Sequence, residues 1–94
     1  MRAFLILAFL TACSSPGLRY QGTTPTRAEV NGWVIDVYRR GDRAQAIRLN
    51  RMVLPKAEDM FVNGGIAIER ATHCRVIQSS KRGDAVILNA KLRC

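Results

Sequence analysis

Histidine, carboxylates and aromatic rings are all scarce in this chain. It holds one His, seven Asp and Glu, and 6% aromatic residues. Those shortages exclude several kinds of chemistry before any fold is considered. His73 and the pair Cys74 and Cys94 offer no recurrent metal-ligand spacing, so no metal site and no cofactor is expected. Glu58 and Asp59 are the only adjacent carboxylates, and neighbours on a helix do not share a face. His73 beside Cys74 suggests a nucleophile with its base, but adjacent helical residues point about 100° apart. No catalytic residue is expected, and the chain does not read as an enzyme. The glycine pair in "NGGIAI" lacks the lysine and the spacing of a phosphate loop. Long apolar runs are missing too. The run from Ala3 to Leu10 falls far short of the roughly 20 residues that span a membrane.

What the chain has is positive charge. Lys and Arg number 15, for a formal net charge of +8. Lys56, Lys81 and Lys91 are the lysines and the other basic residues are arginine. The guanidinium fork suits phosphate and carboxylate, although arginine-rich codon usage explains the same bias. Such a chain is drawn to anionic headgroups and polyanions. Trp33 and Tyr38, beside Arg39 and Arg40, are of a type that stacks on bases. Trp33, however, shares a strand face with Ile35 and Val37, which makes it a core residue, and nucleic acid is not an expected partner.

The first residues, "MRAFLILAFLTAC", place a positive charge before a short apolar run and small residues, the pattern of an export signal. Leu10-Thr11-Ala12-Cys13 resembles the lipobox of bacterial lipoproteins. That resemblance implies cleavage between Ala12 and Cys13, a diacylglyceryl group on the Cys13 thiol and an acyl chain such as palmitate on its amine. More than one chain gives a stable anchor. The expected plan is a signal peptide over residues 1–12, a lipidated Cys13 with a flexible tether over 13–28, and a folded domain over 29–94. The tether is expected because "SSPGLRYQGTTPTR" is rich in Ser, Gly, Thr and Pro and has no apolar period. Ser14 is not the Asp that favours inner-membrane retention in the enteric members. The resemblance therefore implies an outer-membrane anchor with the domain facing the periplasm.

Beyond the tether the pattern is α+β. In "VNGWVIDVYRR", Trp33, Ile35 and Val37 share one face, and Val34, Asp36 and Tyr38 the other. In "AQAIRLNR", Ile47 and Leu49 fall on one face, and the polar turn before it makes the two runs a hairpin. Ala57, Met60, Phe61, Gly64, Ala67, Ile68, Ala71 and Cys74 then step by three and four, one face of a helix. Gly64 and Gly65 cost that helix roughly 1 kcal/mol each relative to Ala, so close packing or a kink is expected there. Val76 and Ile77 start a further strand, and Val86, Leu88, Ala90, Leu92 and Cys94 alternate with Ala85, Ile87, Asn89, Lys91 and Arg93. The prediction is a small ββαββ domain with one helix packed on an antiparallel sheet. Cys74 and Cys94 end the apolar faces of helix and last strand, and an exported chain favours their pairing. Such a disulfide contributes roughly 3 kcal/mol for a loop of about 20 residues.

The tripeptide Arg-Gly-Asp occurs twice, at Arg40 to Asp42 and Arg82 to Asp84, each where a hairpin reverses. Turn chemistry accounts for both: Gly takes φ > 0 and Asp bonds nearby backbone. The turns bring Arg39, Arg40, Arg43, Lys81 and Arg82 to hairpin tips. If both hairpins point the same way, these five form a candidate anion-binding patch.

The hairpin "RRGD…AIRLNR" and the closing "RGDAVILNAKLRC", with "LTAC", resemble a group of small envelope lipoproteins of alphaproteobacteria. That resemblance carries no function with it. The first expectation is a lipid-tethered, non-catalytic accessory subunit that docks on another envelope protein. The alternative is a binder of anionic envelope lipid or cell-wall polymer through arginine-rich hairpin tips.

Overall fold

The computed structural model describes residues 18–51 and 55–94. Ala12, Cys13 and the signal segment lie outside them. After a single 3₁₀ turn at Leu18–Tyr20 come three antiparallel strands, β1 (Thr26–Val30), β2 (Trp33–Arg40) and β3 (Arg43–Arg48). The helix α1 spans Ala57–Thr72. It is followed by β4 (Arg75–Val76), a second 3₁₀ turn at Gln78–Ser80, β5 (Arg82–Gly83) and β6 (Ile87–Arg93). The sheet order is β1-β2-β3-β6-β4, and β5 also pairs with β6. One helix on an antiparallel sheet is the expected α+β arrangement.

Two parts of the chain go beyond that expectation. The ordered fold starts before residue 29: Tyr20 is buried, and Thr26 and Arg27 already belong to β1. Asn31 (φ 51) and Gly32 (φ 81) form the two-residue turn between β1 and β2. Positive φ at both positions is the hairpin turn that Asn-Gly favours. Arg27 then grips Asp36 across the pair, with Nε 2.9 Å and Nη2 3.3 Å from its carboxylate oxygens. Near the C-terminus, the expected last strand is present as β6, but the expected strand and turn before it become two two-residue strands, β4 and β5, around the second 3₁₀ turn. β4 and β5 share the outer edge of β6 end to end, Arg75 opposite Arg93 and Arg82 opposite Asn89.

One face of the sheet packs on the helix. Trp33, Ile35, Val37, Ala44, Ala46, Leu88, Ala90 and Leu92 meet Met60, Ala67 and Ile68 there. Ile35, Met60, Ile68 and Leu88 are fully buried, each worth about 1.5–3 kcal/mol relative to exposure. The helix runs unbroken through its glycines, so close packing and not a kink explains them. A Cβ on Gly64 would stand 3.0 Å from Leu88 Cδ2 and 3.2 Å from Met60 Cε. A Cβ on Gly65 would stand 2.9 Å from Lys81 Nζ, which lies across the helix there. Glu58 and Asp59 occupy the first turn, where the helix dipole favours acids. The helix ends at His73, in the left-handed region (φ 60), whose N–H donates to the Glu69 carbonyl at 2.9 Å.

Cys74 therefore lies past the helix end. Its sulfur is 2.04 Å from that of Cys94, at disulfide distance. The bridge follows directly on the Arg75–Arg93 pair, so it extends the β4–β6 ladder by one step. The Cα separation of 4.4 Å is that of a non-hydrogen-bonded cross-strand pair. The sequence places this bridge between helix and sheet; it joins two neighbouring strands.

Candidate functional site: a basic face on the open side of the sheet

Alternation along β2, β3 and β6 divides their side chains between the helix face and a face the helix leaves open. Register sorts the open face into rows. Arg40 stands opposite Arg43, and Arg43 opposite Lys91. The next row runs Tyr38, Gln45, Asn89, Arg82, with Gln45 Nε2 donating to Asn89 Oδ1 at 2.8 Å. The third runs Asp36, Ile47, Ile87. On the far side of Lys91, Arg93 faces Arg75. Charge therefore changes across this face. On β1 and β2 the acids Glu29 and Asp36 offset Arg27 and Arg40, whereas the side chains from β3 to β4 include cations and no acids.

Like charges directly opposite each other on neighbouring strands are destabilising. Arg40–Arg43, Arg43–Lys91 and Arg75–Arg93 are all such pairs. Among the described residues the ion pair is Arg27–Asp36, so none of these cations has a carboxylate partner.

Between the rows and the two 3₁₀ turns lies a hollow of about 640 Å³. Arg19, Arg43, Arg82 and Lys91 line it together with Tyr20, Ser79 and Asn89, and no carboxylate of the described residues does. Its walls are fixed by hydrogen bonds. Lys91 N–H donates to Ser80 Oγ (2.8 Å), and Ile77 N–H to the Lys91 carbonyl (2.9 Å), which seats the second 3₁₀ turn against β6. Arg82 Nη1 donates to the Ser79 and Lys81 carbonyls at 3.1 and 2.8 Å. Arg40 Nη2 donates to the Gln21 carbonyl (3.1 Å), tying the first 3₁₀ turn to the sheet. Tyr20 packs with Tyr38 and Ile47 beneath that turn. Burial pushes its phenol above the usual range, while the charges of Arg19 and Arg43 pull it down and Asp42 pushes it up. A second hollow, of about 480 Å³, shares Ile77 with the first and is lined by Arg75, Gln78 and Arg93.

Of the five cations expected at one patch, Arg40, Arg43 and Arg82 are on the open face. Arg39 shares the helix face with Val37, its Nε donating to the Gly41 carbonyl (2.9 Å) and its Nη2 3.3 Å from Cys94 Sγ. Lys81 turns to the helix side, where Nζ donates to the Phe61 carbonyl at 2.8 Å. Burial lowers its pKa, and Glu69 works against that. The hairpins do not point the same way. The Gly41-Asp42 turn lies beside Leu92, whose N–H donates to the Asp42 carbonyl (2.6 Å). The Asp84–Val86 turn lies beside Arg48, whose N–H donates to the Val86 carbonyl (2.8 Å). The tips thus sit at opposite ends of β3, and register between the strands, not the tips, gathers the charge. Arg19, Arg75, Lys91 and Arg93 join the face unforeseen. For Lys91 and Arg93 the signal was the outward period of the last strand.

The fold and the site define a small α+β domain with one helix-packed and one basic sheet face. Compared with known proteins, the chain matches no family model, no curated protein and no solved structure.

Proposed function

We propose that this chain is a lipid-anchored, non-catalytic protein of the bacterial envelope, held at the outer membrane and facing the periplasm. Its domain binds an anionic component of that envelope on the open face of the sheet. The observation that carries the reading is the hollow lined by Arg19, Arg43, Arg82 and Lys91, with no carboxylate of the described residues in its lining. Its size falls within the range of ligand pockets. The repulsion among its cations is relieved by a bound anion, so charge that weakens the empty fold strengthens the complex. The anchor rests on the Leu10-Thr11-Ala12-Cys13 sequence. The non-catalytic reading rests on the sparse chemistry: Cys74 is committed to Cys94, and His73 is exposed and serves as the helix cap.

Docking on another envelope protein is the second reading. It is favoured by Leu49 and Val86, 36% and 41% exposed, which flank one end of the sheet beside the Arg48–Val86 hydrogen bond. Two such side chains are few for a stable interface, so the anionic ligand is preferred.

Calorimetric titration with inorganic pyrophosphate tests it. Affinity should fall steeply between 50 and 200 mM salt, because the contacts are ionic. Arg43→Gln and Arg82→Gln should each weaken it. Binding indifferent to salt and to both substitutions removes the proposal, and a free thiol at Cys13 in intact-mass spectra removes the anchor.

A further inference from the structure

We infer that the anion is the headgroup phosphate of the membrane that holds the anchor, and that the open face of the sheet lies against that bilayer. The inference rests on the anionic reading above and adds the ligand's source and the domain's orientation.

Chain length sets the first constraint. Arg19, on the wall of the hollow, is six positions after Cys13. Six extended residues reach roughly 20 Å. A lipid at Cys13 therefore keeps this wall close to the bilayer surface, whereas the helix lies on the far side of the sheet.

The distribution of charge sets the second. Arg40, Arg43, Arg82, Lys91, Arg93 and Arg75 spread over neighbouring strands of one face, and two adjoining hollows carry cations. A single soluble phosphate would meet a few of them. A plane of headgroups meets all of them at once. The acids Glu58, Asp59 and Glu69 are on the helix, across the sheet from this face, whose own acids, Glu29 and Asp36, are confined to β1 and β2. The domain is thus polarised along the axis from helix to sheet, and an anionic surface turns its basic side inward. Each Lys or Arg near such a surface strengthens binding by about fivefold.

The lysines provide the readout. Lys91 lines the first hollow, whereas Lys56 precedes the helix N-terminus and is exposed. The full lipidated chain is placed in nanodiscs of neutral lipid, or of neutral lipid mixed with phosphatidylglycerol. Acetylation rates of both lysines are followed by mass spectrometry. The expected result is Lys91 slowed about tenfold in anionic discs only and Lys56 equally fast in both. The Lys91 protection should be lost at about 0.5 M salt and reduced about fivefold by Arg43→Gln. Protection of Lys91 by soluble pyrophosphate in neutral discs, with none from anionic lipid, overturns the membrane orientation and leaves the anion site standing. No protection in any arm overturns both. An unmodified Cys13 in the same spectra overturns the anchor and with it the argument from reach.

Discussion

Arg43 and Lys91 stand directly opposite each other across β3 and β6, and both line a hollow that no carboxylate of the described residues enters. Arg40 completes the row from the other side. Relieving this repulsion should stabilise the empty protein. Arg43→Gln or Lys91→Gln is expected to raise unfolding free energy by about 0.2–1 kcal/mol in urea at low salt. The gain should shrink at high salt, where the charges are screened. A variant less stable than its parent under both conditions contradicts the repulsion.

The glycines divide by cause. A Cβ on Gly83 would fall 1.9 Å from the Ile87 carbonyl oxygen, at φ 151. Gly83→Ala should cost more than about 2 kcal/mol, because backbone strain adds to the clash. Gly41 has open space around it and φ 62, so Gly41→Ala should cost about 1 kcal/mol, from strain alone. Gly64→Ala gains about 1 kcal/mol of helix propensity but overpacks Leu88 and Met60, which costs about 1–3 kcal/mol. A modest net loss is expected. Equal chemical midpoints for the Gly83 and Gly41 variants would count against this ordering.

Reduction of the Cys74–Cys94 bridge opens a loop with a sequence separation of 20. The expected loss is about 3 kcal/mol. In a domain this small that lowers Tm by on the order of 10–20 °C, measurable by calorimetry with and without reductant. An unchanged Tm in the double variant Cys74→Ala, Cys94→Ala would show that the pair does not brace the fold.

Asp84 gives the fold a pH dependence. Its carboxylate accepts from the Ile87 and Val86 N–H groups, which lowers its pKa below the ordinary 3.8. The folded pKa is depressed, so the contribution is present above 3.8 and fades as pH falls through the folded value. Asp84→Asn keeps an acceptor and loses the titration. Its acid-unfolding curve should be flatter below pH ~4 than the parent's, by a small margin because the group is exposed. Asp84→Ala loses the turn's bonds and should cost about 1 kcal/mol at neutral pH.

Much of the architecture is legible in the residue pattern. The period of two from Trp33 to Val37 and from Leu88 to Leu92, and the three-four steps from Met60 to Ile68, mark the elements that bury the core. β1 escapes this reading because "TRAEV" holds two apolar side chains and its stability comes from pairing with β2. The signal was nevertheless there: Asn31-Gly32 is the turn dipeptide that announces a hairpin, and it demands a strand before it. The site is another matter. Arg19, Arg43, Arg82 and Lys91 belong to four separate segments, and only the pairing of β3 and β5 with β6, and the seating of the first 3₁₀ turn on the sheet, bring them together. Local periodicity gives the face of each strand and is silent on which strands are neighbours. The same gap explains Lys81, whose side chain lies against the helix because Gly65 leaves room for it.

The opposite ends taken by the two Arg-Gly-Asp tripeptides bear on molecular recognition. In the first, Gly and Asp form the loop itself, and Arg40 ends a strand. In the second, Arg82 and Gly83 are strand, and Asp84 folds its carboxylate back onto the backbone. An antibody raised to the linear tripeptide would meet two unlike epitopes on one molecule, and in the second it would find the acid's Oδ1 already engaged by backbone N–H groups. Spelling shared by two segments is not shape shared by two surfaces.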